Sequence, residues 1–162
     1  GSVNHTYGAT LIVPEAKVQE STMYIPGTDG QKMSKSYGNF IDIFLPDKKL
    51  RKNVMKIVTD SKGLDEPKDP DTCNVYNIYK PMANPDQISS MREKYQAGGY
   101  GYGHAKQELF ELIVDQFGEE REAYSTLMES PSKIEVELEK GAEKARAIAK
   151  AVVARVREKL GY

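Results

Sequence analysis

Hydrophobic and polar positions in this chain follow one pattern before about residue 45 and another after it. Between residues 3 and 26 the apolar residues come in short runs. Thr10-Leu11-Ile12-Val13 is mostly β-branched and closed by Pro14, and 19–25 mixes polar and apolar residues ahead of the turn signal Pro26-Gly27. This predicts two short strands with no partners of their own, the edge of a larger sheet. Residues 27–39 are polar and predict a loop. From residue 47 the period becomes that of a helix. Leu50, Val54 and Ile57 predict an amphipathic helix over 47–59, behind Pro46. After an acidic connector over 60–70, Asp71-Thr72 stands where a cap belongs for a helix carrying Val75, Ile78, Tyr79 and Met82, which Pro81 should end. Asn84-Pro85 predicts the next start, with Ile88, Met91 and Tyr95 behind it and Gly98-Gly99 as the stop. From His104 the chain reads as helical to its end. Leu109, Leu112, Ile113 and Phe117 make one stripe, Ser130-Pro131 a break, and Ile134, Leu138, Ala145, Ile148, Val152 and Val156 a last stripe. Helices with one apolar stripe each predict a helical bundle.

Charge and composition narrow the function classes. Lys and Arg number 23 and Asp and Glu 24, a net charge of −1 over 162 residues, which excludes a polybasic coat. A polyanion could be met only by local patches. Two exist: 32–56 holds seven basic against two acidic residues and 142–162 six against two, with ten acidic against three basic over 108–141 between them. No run approaches the roughly 18 to 20 apolar residues of a membrane span, so no membrane partner is expected. Cys73 is the single cysteine, which excludes an internal disulfide and predicts a reducing, cytoplasmic setting. Two histidines and one cysteine are too few for a usual structural zinc site, so no protein-bound metal is expected. Gly1-Ser2 reads as a cloning remnant, and no signal peptide is visible.

The segment Lys32-Met33-Ser34-Lys35-Ser36 carries the candidate chemistry. Two ammonium groups three residues apart and two hydroxyls lie on a loop with Gly27 and Gly30 before it and Gly38 after it. Glycines there cost conformational entropy and add nothing to packing, so they point to a loop that closes over something and reopens. Lysine is a mobile point charge suited to a phosphate chain, and hydroxyls and loop amides add hydrogen bonds to the same oxygens. The residues therefore predict a mobile polyphosphate clamp, against the plainer reading of a Lys/Ser-rich surface loop. The spacing Gly27-x-x-Gly30-x-Lys32 is not a Walker loop, and Gly99-x-Gly101-x-Gly103 follows no strand as a dinucleotide site would require.

Lys-Met-Ser-Lys-Ser is similar to the signature of class I aminoacyl-tRNA synthetases. Two further blocks, Pro26 to Gln31 with Ile57 to Ser61, and Gly101 to Lys106, resemble the bacterial-type tryptophanyl-tRNA synthetases over nearly all of residues 3–160. The tyrosyl-tRNA synthetases share the architecture and are the nearer alternative. A non-catalytic helical RNA-binding module and a structural helical bundle without a ligand are the others. The resemblance implies a mainly α chain: a helical bundle of the anticodon-binding type over 45–162. It is preceded over 3–44 by two short strands and the 27–39 loop, left over from a truncated α/β nucleotide-binding domain. The family's His-x-Gly-His-like signature is missing, since His5-Thr6-Tyr7-Gly8 does not match it, so the expectation is a C-terminal half that is inactive alone. By the same resemblance, Lys32 and Lys35 are the catalytic candidates, and Met33, Ser34 and Ser36 join them in binding ATP. Mg²⁺ accompanies the ATP, tryptophan and tRNA(Trp) are the other partners, and the full-length protein is a homodimer. No motif marks the RNA contacts. Arg92, Lys94, Tyr100, Tyr102 and Lys106 are candidates from their chemistry, as bases for phosphates and rings for stacking.

Overall fold

The computed structural model describes residues 2–18 and 24–162. Among them the regular elements are seven helices: α1 (Ser2–Tyr7), α2 (Asp47–Met55), α3 (Asn74–Tyr79), α4 (Pro85–Ala97), α5 (Tyr102–Gln116), α6 (Gly118–Met128) and α7 (Pro131–Leu160). The mainly α expectation holds, and the strands do not. Residues 2–7 form a short helix, and Thr10 to Val13 lie in no strand. A strand is made by its ladder, and here a side chain takes the ladder's place. Asn4 Oδ1 accepts from the amides of Thr10 (3.2 Å) and Leu11 (2.8 Å), and its Nδ2 donates to the Leu11 carbonyl (2.6 Å). The β-branched run was read correctly as apolar but has no neighbouring strand to pair with. The second expected strand, over 19–25, lies mostly outside the described residues. The β pairing present among them is a single bridge between Pro26 and Lys32.

The chain divides into two compact units, Gln19–Tyr124 and a second made of Gly1–Val18 with Ser125–Tyr162. This is a division by compactness, whereas the boundary at residue 45 is drawn on resemblance. The first unit holds the hydrophobic core. Leu50 and Val54 from α2, Val75, Tyr76, Ile78 and Tyr79 from α3, Met91 and Tyr95 from α4, and Ala105, Leu109 and Ile113 from α5 are all buried. Most are positions the period of 3.6 picks out, because a helix presents i, i+3, i+4 and i+7 to one neighbour; Tyr76 and Ala105 lie outside the stripes as read, and Met82, Ile88, Leu112 and Phe117 are only partly buried.

Local departures have identifiable causes. α2 stops four residues short of the expected 59: the Ile57 amide turns back to Val54 (3.1 Å), and the Val58 amide leaves for the Thr28 carbonyl (2.7 Å). α3 opens at Cys73 with no side-chain cap, because the expected cap Asp71 is drawn into a two-pronged bond with Arg92. α4 starts as read: Asn84 and Gln87 form a reciprocal capping box with Pro85 at the first helical position. The 60–70 connector is organised by Lys68, buried, whose ammonium donates to the carbonyls of Gly63 (2.7 Å), Leu64 (3.2 Å) and Glu66 (2.9 Å). Three acceptors match the three protons of an ammonium group, which is what makes a buried lysine tolerable.

In the second unit α7 runs for 30 residues, from Pro131 in its first turn to a left-handed cap at Gly161. Arg155 Nε donates to the Thr10 carbonyl at 2.8 Å, which ties the chain's first residues to this helix. The last stripe is not buried as a bundle helix would bury it: Leu138 is 65% and Ile148 73% exposed. No described residue of α7 belongs to the core, so the buried helical core is confined to α2–α5.

Candidate active-site loop

The loop over 27–39 is built from its base upward, and the base is a side chain that sequence reasoning passed over. Asn39 is 3% exposed. Its Oδ1 accepts from the Ser34 amide at 2.8 Å, while its Nδ2 donates to Asp29 Oδ1 at 2.8 Å and to the Lys32 carbonyl at 3.1 Å. Its own carbonyl accepts from Thr28 at 2.7 Å. One asparagine thus closes the loop on both sides of the two lysines. Asp29 also accepts from the Gln31 amide (3.0 Å), an Asx turn, and the bond from Asn39 holds its carboxyl below the ordinary value of 3.8. A signal did exist in the sequence: an Asp beside Gly30 and an Asn after Gly38 are turn chemistry.

Gly27 is required by this packing. A Cβ there would lie 2.4 Å from Asn39 Cγ and 2.7 Å from its carbonyl oxygen. Gly38 has φ of +68°, a conformation that favours glycine. The loop is also tied to the helices: Val58 donates to Thr28, and Asn74 Nδ2 donates to the Val58 carbonyl at 3.0 Å.

Above this base the signature residues differ in exposure. Lys32, Lys35 and Ser36 are exposed, and Met33 and Ser34 are partly buried. Among the described residues neither Lys32 nor Lys35 forms an ion pair. The amides of Met33 and Ser34 are committed, to the Ile25 carbonyl (3.0 Å) and to Asn39, so they are not the free donors the sequence suggested. The amides of Lys35, Ser36 and Tyr37 have no partner among the described residues, which moves the donor set to the exposed tip. Two unpaired ammonium groups, two hydroxyls and three open amides on one tip can receive several oxygens of a polyphosphate at once. No three carboxylate, imidazole or thiolate groups converge on a metal site among the described residues.

The five residues singled out for RNA are all engaged inside the chain. Arg92 bonds Asp71 with both terminal nitrogens (3.1 and 2.5 Å) and lies over the Tyr76 ring. Lys94 pairs with Glu108 at 2.7 Å. Lys106 donates to the Met55 carbonyl at 3.3 Å, near the negative end of α2, and burial pushes its ammonium below the ordinary lysine range. Tyr100 and Tyr102 pack on Tyr95, with ring centroids 5.6 and 6.0 Å away. Burial raises both phenols, so they stay neutral. Lys94 also borders a cleft of about 510 Å³ that carries Asp86, Glu108, Glu111 and Asp115, a lining that repels phosphate.

Tyr102 donates to Asp60 Oδ1 at 2.6 Å, and that bond is the main cause holding the Asp60 carboxyl below 3.8. Tyr102→Phe is therefore expected to raise the Asp60 pKa part of the way to 3.8, read by NMR titration of the carboxyl carbon. A depressed carboxyl contributes stability above its unfolded pKa and loses it as pH falls through the folded one. The variant should accordingly show a shallower loss of stability below about pH 4.

The family model described as tRNA synthetases class I (W and Y) matches residues 4–118, more than half of the chain. The chain belongs to that family. It is 44% identical over 159 residues to a tryptophan–tRNA ligase of Campylobacter jejuni, a match that covers 98% of this chain and 50% of the relative. A tryptophan–tRNA ligase of Rhodopirellula baltica is 40% identical over 161 residues, again with 50% of the relative covered. A crystal structure of the Campylobacter jejuni tryptophanyl-tRNA synthetase complexed with ADP and tryptophan superposes with a TM-score of 0.81 at 44% identity. It covers 99% of this chain and 50% of that one. The chain thus spans about half the length of the curated relatives it matches. Membership places the loop with its two unpaired lysines in a family of ligases. No helix among the described residues is long and apolar enough to cross a membrane.

Proposed function

We propose that this chain is the half of a tryptophan–tRNA ligase that carries the phosphate loop and the tRNA-binding helices. The observation that carries the reading is the loop itself: Lys32 and Lys35 stand exposed and free of carboxylate partners on a base closed by Asn39. The relatives named as tryptophan–tRNA ligases support tryptophan over tyrosine as the amino acid. In the reaction a tryptophan carboxylate oxygen bonds to the α-phosphorus of ATP, and the bond from that phosphorus to the bridging oxygen breaks. The electron pair leaves on pyrophosphate. A ribose hydroxyl of the tRNA end then attacks the adenylate carbonyl and displaces AMP. The first step needs position and compensation of the charge that grows on the leaving group more than it needs proton transfer.

Lys32 and Lys35 supply that compensation, and the open amides and hydroxyls of residues 34–37 orient the terminal phosphates. Mg²⁺ carried by ATP shares the same charge. The adenine site and tryptophan pocket belong to the other half of such a ligase, so the chain by itself should not activate tryptophan. The test is complementation. The chain alone is expected to give no tryptophan-dependent pyrophosphate exchange, and exchange should appear when the N-terminal half of a relative is added. Exchange by the chain alone, or none with the half present, would refute the reading. On the ligase reading, residues 3–44 are the end of the nucleotide domain and 45–162 the helical domain that meets the tRNA.

A further inference from the structure

Beside the loop, α2 and the loop base enclose a second concave surface of about 280 Å³, lined by Thr28, Gly38, Leu45, Lys49, Lys52, Asn53 and Lys56. Its three lysines follow each other at steps of three and four, so they share one face of α2. All three are exposed, and none has an ion pair or side-chain hydrogen bond among the described residues. The two acidic residues of 32–56 have partners of their own. Asp47 is held by Arg121, and Asp42 accepts from the Phe44 amide at 3.0 Å. The lysines are not needed at the end of α2 either, because Lys106 already donates to the Met55 carbonyl there. Three uncompensated charges on a concave wall form a focused positive field.

We propose that this groove, which shares the loop base but none of the loop's lysines, seats successive backbone phosphates of the tRNA. The row decides between a polynucleotide and a nucleotide. From Lys49 to Lys56 is seven residues, a rise of about 10 Å along the helix. Phosphates of a polynucleotide recur along a strand over such a length, whereas the two phosphates of a diphosphate share one bridging oxygen. A diphosphate would meet one lysine, or two at most. The proposal rests on the ligase reading in one respect, that the polyanion is tRNA.

The experiment measures binding of a tRNA(Trp) transcript to the 162-residue chain between about 50 and 200 mM salt, the range in which phosphate contacts lose affinity steeply. The combined variant Lys49→Gln, Lys52→Gln, Lys56→Gln is compared with Lys17→Gln, Lys80→Gln, Lys133→Gln, which changes the net charge equally at exposed positions outside both basic patches. The groove variant should bind at least about tenfold more weakly near physiological salt, with the log–log salt slope reduced by about 2 to 3. The control should change little. Each single Lys→Gln change should remove just under one unit of slope, and Lys→Arg should retain binding, which keeps the test open if the triple variant folds poorly. An unchanged slope, an equal loss in the control, or no RNA binding by the unaltered chain would overturn the groove. So would loss of pyrophosphate binding with RNA binding intact, since the groove would then serve the nucleotide. Failure of complementation with groove-dependent RNA binding intact would count against the ligase reading alone.

Discussion

Lys35→Ala in the complete ligase is expected to raise the barrier to adenylate formation by about 2 to 4 kcal/mol, roughly 30- to 1,000-fold in rate, the range for losing one preorganised charge donor. Tryptophan affinity should be nearly unchanged, because the ammonium meets charge that builds on the departing pyrophosphate. The loop's construction makes Lys35 the more exposed to this test. Lys32 is held through its carbonyl by Asn39, whereas Lys35 sits on the tip between the anchored Ser34 amide and Gly38. Single-turnover pyrophosphate exchange at saturating tryptophan and ATP checks it. Turnover retained with both Lys32 and Lys35 neutralised would remove the basis of the proposed mechanism.

The second large effect is expected at a residue with no functional group. Gly27→Ala should destabilise the first compact unit by about 2 to 4 kcal/mol. Its methyl would fall 2.4 Å from Asn39 Cγ, and overpacking of this kind adds to the loss of the hydrogen bonds that Asn39 makes. Asn39→Ala alone should cost about 1 to 2 kcal/mol, because the Ser34 amide and Lys32 carbonyl can recover some bonding from water. The two changes should not add. With the Asn39 amide group removed, the two closest clashes of the Gly27 methyl are relieved and the residue 39 carbonyl oxygen remains, so the double variant should cost less than the two singles together. Urea denaturation of the four chains gives the cycle. In either single variant the Asp29 carboxyl should rise towards 3.8, since its bond from Asn39 is lost. Strict additivity would mean that Gly27 and Asn39 do not act on one another.

The loop is fixed at its root by Asn39 and exposed at its tip. A buried amide can close a loop in this way because it offers an acceptor and two donors without a charge to desolvate.

What could be read from the chain follows from local rules. The helical stripes of α2 to α5, the capping box at Asn84, the stop at Gly98 and the break at Ser130-Pro131 each depend on residues within a few positions of one another. The signature loop was legible because its composition, two lysines and two serines between glycines, is a local feature of the chain. Asn39 as the keystone was not, since its role depends on partners five, seven and ten residues away meeting in space. The strand at Thr10 to Val13 failed for a related reason: β propensity describes a surface waiting for a neighbour, and here Asn4 answers instead. Arg92, Tyr102 and Lys106 likewise read as free basic and aromatic groups until the fold supplied Asp71, Asp60 and the Met55 carbonyl. The sequence by itself thus determined where helices begin, which faces are apolar and which loop carries charge, because periodicity and turn chemistry are short-range. Tertiary structure alone decided which cations have no ion pair among the described residues, Lys32 and Lys35 at the loop and Lys49, Lys52 and Lys56 in the groove. Neutralisation is a matter of distance, and only folding sets the distances between side chains far apart in the chain.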